Sequence, residues 1–206
     1  MTLTLLVKKL ELENDKFVTS SILKGYCTIL KLDYYTAIRY LTHNEYLITL
    51  LKGIFYIKSV EERKHKKTDI NYIDAIKKAL ELKKVKNWYF GLDTAVRMNN
   101  LSHEYSEITY IINDLIFRKN PVTILGHKVK FIKISKSLFG FGIKNNVADT
   151  ERTVLDTIYL GKYNGASDNE IKNRISSLLG YCKKKKLTDY AKHYPKTVIK
   201  LGGEII

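Results

Sequence analysis

The chain has 206 residues, longer than one small module, and the usual domain size of roughly 100 to 150 residues predicts two compact units. Its 36 Lys and Arg outnumber 21 Asp and Glu, and the net charge of +15 favours a polyanionic partner, nucleic acid ahead of an anionic membrane. No apolar run approaches the roughly 18 residues of a spanning helix, and charge follows the start too early for a signal peptide, so we expect a cytoplasmic protein outside the membrane.

Three helices are predicted near the N-terminus. The first covers residues 3–12, where leucines and a valine recur at helical spacing. The second begins at the hydroxyl residues 19–21 and runs to about Ile29. Its predicted inward side chains are Ile22, Leu23, Tyr26 and Cys27. Asp33 is a good N-cap for the third, whose inward positions are predicted to be Ala37, Ile38, Tyr40 and Leu41.

A β-hairpin is predicted directly after the third helix. Two β-prone runs, 46–51 and 54–57, flank Lys52 and Gly53, and Gly53 supplies the positive φ of a tight turn. Three helices followed by a hairpin form a winged helix-turn-helix, in which the third helix enters the major groove of DNA. We therefore predict a DNA-binding domain at residues 1–58.

The outward positions of this domain predict its DNA contacts. Tyr35, Thr36 and Arg39 are expected at base edges, because Arg pairs with guanine and the Thr methyl packs on thymine. The residues expected at phosphates are Ser20, Ser21, Tyr34 and Lys52. Two alternatives stay open: Tyr34 fits the core equally well, and a module holding only 8 basic against 5 acidic side chains could serve protein contacts alone.

Residues 59–70 carry dense mixed charge and are predicted to form a solvated connection or a polar helix extension. An amphipathic helix over 71–86 then opens a second domain, 71–206. Short helices alternate there with β-rich runs, including a pair that meets at Gly126 and His127, and Asp149 caps a long helix. The prediction is an α+β fold: a winged helix followed by a small, mainly antiparallel sheet and C-terminal helices.

Three segments resemble the AbiEi family of antitoxins from type IV, abortive-infection toxin-antitoxin pairs. They are WYFGLDTAVRMNNL at 88–101, VTILGHKVKFIKI at 122–134 and ADTERTVLDTI at 148–158. The most specific match is the helix start with Asp149, Glu151, Arg152, Thr153 and Asp156, and the hairpin at 53–56 matches too. The resemblance spans roughly residues 15 to 165 and leaves the last 40 unplaced. It implies a repressor of its own promoter whose C-terminal domain opposes a separately encoded, nucleotidyltransferase-like toxin.

No catalytic constellation is found in the sequence. The five histidines, 43, 65, 103, 127 and 193, lack ligand spacing, and Cys27 and Cys182 form no CxxC pair, so we predict no metal site, cofactor or disulfide framework. Asp149, Glu151 and Asp156 could suggest a metal-dependent nuclease, but capping and pairing with Arg152 explain them better. We therefore expect a protein that is not an enzyme.

The densest positive run is a possible phosphate or partner patch, and it consists of Lys183, Lys184, Lys185 and Lys186. A solvated helix end explains it equally well. The leading hypothesis is an autoregulatory antitoxin that binds double-stranded DNA. The alternatives are a free-standing repressor with a ligand-sensing or dimerisation domain, and a DNA-processing enzyme.

Overall fold

The computed structural model describes residues 2–102 and 106–205. The chain divides into two compact units: unit 1 holds residues 1–86 and 123–127, and unit 2 holds residues 87–122 and 128–206. Among the described residues, none of the helices is both long and apolar enough to cross a membrane.

Unit 1 contains a winged helix. Its elements in chain order are α1 (Thr2–Glu11), β1 (Phe17–Thr19), α2 (Ser20–Ile29), α3 (Tyr34–His43), β2 (Leu47–Leu51) and β3 (Ile54–Ile57). The three strands form an antiparallel sheet in the order β1-β3-β2. The predicted hairpin of β2 and β3 is thus extended by a third strand, β1, which pairs with β3. The helices and the sheet share one apolar core, which includes Leu6, Leu23, Ala37, Leu41 and Phe55.

Two of the predicted inward side chains lie at the surface. Ile22 on α2 is 44% exposed, and Tyr40 on α3 is 36% exposed and stacks on Tyr46 with ring centroids 6.1 Å apart. On each ten-residue helix only two side chains are buried: Leu23 and Cys27 on α2, and Ala37 and Leu41 on α3. The buried stripes are narrower than the hydrophobic pattern predicted, because only one row of side chains from each helix meets the core.

The segment predicted as a charged linker is folded into unit 1, which continues to Lys86. It contains α4 (Val60–Lys64), begun by a capping box between Ser59 and Glu62, and it leads to α5 (Tyr72–Leu82). Apolar side chains of α5 are buried beside β2. The units therefore divide after residue 86 rather than at 59–70, since α4 and α5 supply buried side chains to the first unit.

A buried carboxylate holds α4 to the sheet. Glu62 is 2% exposed and accepts hydrogen bonds from Tyr56 Oη at 2.7 Å and from the amides of Ser59 at 2.8 Å and Asp69 at 2.7 Å. Lys16 Nζ pairs with it at 3.4 Å. Burial raises the pKa of Glu62, but the hydrogen bonds from Ser59, Asp69 and Tyr56 and the charge of Lys16 outweigh burial and lower the pKa to about 2.

Most of the remaining elements lie in unit 2. The remaining strands in chain order are β4 (Trp88–Phe90), β5 (Ile108–Asn113), β6 (Val122–Ile124), β7 (His127–Lys133), β8 (Ile143–Lys144) and β9 (Val147–Ala148). The helices of unit 2 are α6 (Leu92–Met98), α7 (Thr150–Tyr163), α8 (Asp168–Leu179), α9 (Lys184–Ala191) and α10 (Lys196–Ile205), with a 3-10 turn at Lys136–Leu138. The core of unit 2 includes Tyr89, Ile112, Leu155, Ile175 and Leu187.

The second sheet has the order β6-β7-β5-β4-β9-β8. β4 pairs antiparallel with β5, and β8 with β9, while β5–β7 and β4–β9 are parallel pairs. The predicted α+β class, with helices gathered at the C-terminal end, is confirmed. The hydrophobic pattern did not indicate the parallel pairs, because the alternation of apolar and polar residues along a strand does not depend on the direction of the neighbouring strand.

Replacing Glu62 with Gln should destabilise unit 1 by about 3 kcal/mol at neutral pH, the equivalent of lowering the pKa from 4.5 to about 2. Because the folded-state pKa is the lower one, this stability is present above pH 4.5 and is lost as the pH falls towards 2. The difference between wild type and Glu62→Gln should therefore shrink over that range. The measurement is hydrogen exchange of β3 amides, because Trp88, the single tryptophan, lies in unit 2.

Glu61→Gln is the matched control, since Glu61 occupies the same first turn of α4 and is exposed. A difference between wild type and Glu62→Gln that stays constant from pH 7 to pH 2 would contradict the assignment.

Candidate nucleic-acid interface

The N-terminal half of α3 presents the residues predicted to meet base edges. Asp33 caps the helix by accepting the Thr36 amide at 2.8 Å, and hydrogen bonds from the Thr36 hydroxyl and amide lower the pKa of Asp33. Tyr35 is 74% exposed, and Thr36 and Arg39 are exposed beside it. The cap therefore fixes where this face begins.

Tyr34 connects α3 to the start of α2. Its hydroxyl donates to Ser20 Oγ at 2.9 Å, its ring meets the Tyr35 ring edge-on at 5.2 Å, and Lys24 Nζ lies 5.3 Å from its centroid. Tyr34 is half-buried, so it packs on the core, as one alternative predicted, and part of it also reaches the surface. Because Ser20 accepts from Tyr34, its own proton remains available to an outside acceptor.

The hairpin turn lies against the same end of α2. Ser20 donates its amide to the Gly53 carbonyl at 2.9 Å, and Gly53 has φ +78°. A Cβ at Gly53 would lie 2.7 Å from Ser20 Oγ, so glycine is required both by the turn and by this close approach. Lys52 in the turn and Ser21 on α2 are exposed. The structure thus brings together the residues that the sequence predicted at phosphates: Ser20, Ser21, Tyr34 and Lys52.

Some cations of unit 1 form ion pairs with acidic side chains, and others do not. Lys58 pairs with Glu45 at 2.8 Å, and Arg63 pairs with Glu11 at 2.6 Å. On the α3 face, the cations Lys24, Arg39 and Lys52 form no ion pair with any described residue. Three cations without an acidic partner therefore lie on α2, on α3 and in the hairpin turn, although residues 1–58 carry only a small net charge.

Lys24 is a candidate contact that the sequence analysis missed. It lies one helical turn after Ser20 and is exposed, and its ammonium is close to the Tyr34 ring. Spacing alone could have found it, because positions i and i+4 share one side of a helix. Counting charges by segment concealed it.

The helix start that carries the family resemblance forms a buried network. Arg152 is fully buried, its Nε donates to Asp156 at 3.1 Å, and its second guanidinium nitrogen donates to Tyr89 Oη at 2.7 Å. Asp156 also accepts from Tyr89 at 2.7 Å and from Tyr194 at 2.6 Å. Burial raises the pKa of Asp156, while Arg152 and both tyrosines oppose that rise. This arrangement stabilises unit 2, and its carboxylate is enclosed by donors.

The two other acidic residues of this helix start also have internal partners. Asp149 caps α7 by accepting the Arg152 amide at 2.8 Å, as predicted. Glu151 accepts the Lys183 amide at 2.9 Å and pairs with Lys186 at 3.0 Å. Capping and pairing thus account for the carboxylates that suggested a nuclease.

The four-lysine run is divided by these contacts. Lys186 is half-buried and pairs with Asp149 at 2.8 Å in addition to Glu151, so its charge is neutralised within unit 2. Lys183, Lys184 and Lys185 are exposed at the start of α9. The predicted patch therefore loses one of its four charges, because the acidic first turn of α7 binds it.

Within residues 2–102 and 106–205, no three His, Cys, Asp or Glu side chains are grouped as metal ligands. His103 lies outside the described residues. Both cysteines are unpaired thiols, and burial raises their pKa values, that of Cys182 to about 11.

Comparison with known proteins gives a likeness of fold. The chain is similar to the crystal structure of RV2827C protein from Mycobacterium tuberculosis, with a TM-score of 0.57 and 13% sequence identity over 99% of this chain and 78% of that chain. No family model matches the chain, and no curated protein matches it.

Gly53→Ala should destabilise unit 1 by about 1 kcal/mol more than Gly126→Ala. Both glycines occupy turns of unit 1 with nearly the same φ, +78° and +80°, but a Cβ at Gly126 meets nothing within 4 Å. At Gly53 the methyl group must displace Ser20 Oγ and break its hydrogen bond with Tyr34. Hydrogen exchange of β2 and β3 amides measures both variants, and equal losses would show that the close approach costs nothing.

Tyr194→Phe should destabilise unit 2 by roughly 1 to 3 kcal/mol, because a buried carboxylate loses a donor. Tyr159→Phe is the matched control: Tyr159 packs edge-on against Tyr194 at 5.9 Å, and its hydroxyl has no hydrogen bond to any described residue. Denaturant unfolding followed by Trp88 fluorescence gives both values. Equal effects of the two substitutions would contradict the role given to the Tyr194 hydroxyl.

Proposed function

We propose that this protein is a DNA-binding transcriptional repressor that binds duplex DNA through the winged helix of unit 1. One observation carries the proposal. The exposed side of α3, with Tyr35, Thr36 and Arg39, adjoins cations that have no acidic partner among the described residues. Acidic side chains elsewhere in unit 1 form its ion pairs, so a polyanion is the partner that suits this surface.

The contacts of α3 suggest how the groove is bound. Arg39 lies one turn after Tyr35 on the exposed side and can donate two hydrogen bonds to a guanine, while the Thr36 methyl packs on a thymine. Beside the groove, Ser20 donates to a phosphate with its oxygen already accepting from Tyr34, and Lys52 neutralises a neighbouring phosphate. Base contacts and backbone contacts thus come from different elements.

The family resemblance extends the proposal to an antitoxin of a type IV toxin-antitoxin system. In that role unit 1 represses the promoter of its own gene, unit 2 opposes a nucleotidyltransferase-like toxin, and the protein acts in the cytoplasm without catalysing a reaction. The resemblance rests on sequence segments in both units. A free-standing repressor is the alternative, and an adjacent nucleotidyltransferase-like gene would favour the antitoxin.

Arg39→Ala should weaken binding to the promoter upstream of its own gene by roughly 1 to 3 kcal/mol and relax specificity at one base pair. Mobility shifts with the promoter and with duplexes substituted at single positions measure both effects. Arg174→Ala is the matched control, because Arg174 is an exposed arginine on α8 in unit 2. Equal weakening on promoter and random duplex would show that Arg39 contacts phosphate instead, and a wild-type chain that binds no duplex would refute the proposed function.

A further inference from the structure

The hairpin of unit 1 is held in place rather than projecting from the surface. Its turn has two residues, Lys52 and Gly53, and the Gly53 carbonyl accepts the Ser20 amide. The strand ends beside the turn are buried, with Leu51 at 6% and Ile54 at 3% exposure. A turn fixed at both ends cannot extend toward a distant groove, so any contact it makes with DNA lies close to the start of α2.

A lysine from α5 reaches this turn. A Cβ at Gly53 would lie 4.0 Å from Lys83 Nζ and 2.7 Å from Ser20 Oγ. The Lys83 ammonium and the Ser20 hydroxyl therefore both lie within 4.0 Å of the point where a side chain at Gly53 would begin. Lys83 caps the C-terminal end of α5 and belongs to unit 1, although the sequence analysis assigned it to the second domain.

The Lys83 ammonium has no counter-charge in the described part of the chain. Lys83 is half-buried, and it forms neither a hydrogen bond nor an ion pair with its side chain there. The nearest acidic residue in sequence, Glu81, pairs with Lys78 at 3.2 Å. Partial burial removes water from a charge and makes an anionic partner more favourable than it would be for a fully solvated lysine.

We propose that Lys83 binds a phosphate of the DNA backbone next to the Ser20 hydroxyl, so that α5 is part of the DNA-binding surface. Lys24 Nζ lies 5.3 Å from the Tyr34 ring centroid, and Tyr34 donates to Ser20. Lys83 Nζ lies 4.0 Å from the point that a Cβ at Gly53 would occupy, so two lysines lie near the Tyr34–Ser20 hydrogen bond. Two cations flanking two hydroxyl groups match the charge and hydrogen-bonding needs of a phosphodiester chain. This inference rests on the proposed function and adds to it a backbone contact from outside the winged helix.

The test is the salt dependence of binding by the full-length protein, with Lys83→Gln compared with wild type on the promoter and on a random duplex. Losing one phosphate contact should make the slope of log affinity against log salt less steep by about 0.9 and weaken both duplexes roughly fivefold near physiological salt. Lys77→Gln is the matched control: it removes the same charge from α5, but Lys77 is paired with Asp74 at 3.3 Å. Lys24→Gln tests the other end of the surface.

An unchanged slope for Lys83→Gln, with wild type binding normally, would overturn the inference and leave the proposed function intact. A loss confined to the promoter would also overturn it, because a phosphate contact carries no sequence information. Equal changes in Lys77→Gln and Lys83→Gln would assign the effect to total charge and overturn the specific contact. Failure of the wild-type chain to bind any duplex would remove the proposed function and this inference together.

Discussion

The requirement that a buried carboxylate be fully hydrogen-bonded organises both units. In unit 1, the Glu62 side chain accepts hydrogen bonds from Tyr56 on β3, from Ser59 at the start of α4 and from Asp69 in the loop that follows. In unit 2, Asp156 performs the same task for β4, α7 and the segment before α10. Leaving either charge without its donors would cost several kcal/mol, so each site permits only one arrangement of the elements that surround it. Asp156 therefore connects parts of the chain that are distant in sequence, whereas Glu62 fixes neighbouring segments and reaches a distant one only through Lys16.

The same need for pairing shapes the surface of unit 1. Three acidic side chains of unit 1 have basic partners: Glu62 pairs with Lys16, Glu45 with Lys58, and Glu11 with Arg63. On and beside α3, Lys24, Arg39 and Lys52 form no ion pair with any described residue. This distribution of unpaired cations is the feature on which the proposed binding of DNA rests.

The winged helix was predictable because its signals are local. Asp33 caps α3, and Gly53 closes the hairpin in a conformation that few other residues adopt. The limits of α7 were predictable for the same reason, since Asp149 occupies the cap. The prediction that Ile22 and Tyr40 face inward was wrong, because hydrophobic periodicity identifies the apolar side of a helix. It does not show how much of that side the neighbouring elements cover.

The sequence by itself determined the α+β class, the three helices with their hairpin, and the outward positions of Tyr35, Thr36 and Arg39, because caps, turns and periodicity act over a few residues. Tertiary structure alone decided that α4 and α5 join the first unit, that Lys83 lies beside Gly53, and that Lys186 is neutralised by Asp149 and Glu151. Each of these depends on contacts between elements that are separated along the chain. Contacts between distant segments form only when folding brings those segments together. A local sequence pattern therefore does not show which partner a charged side chain will have.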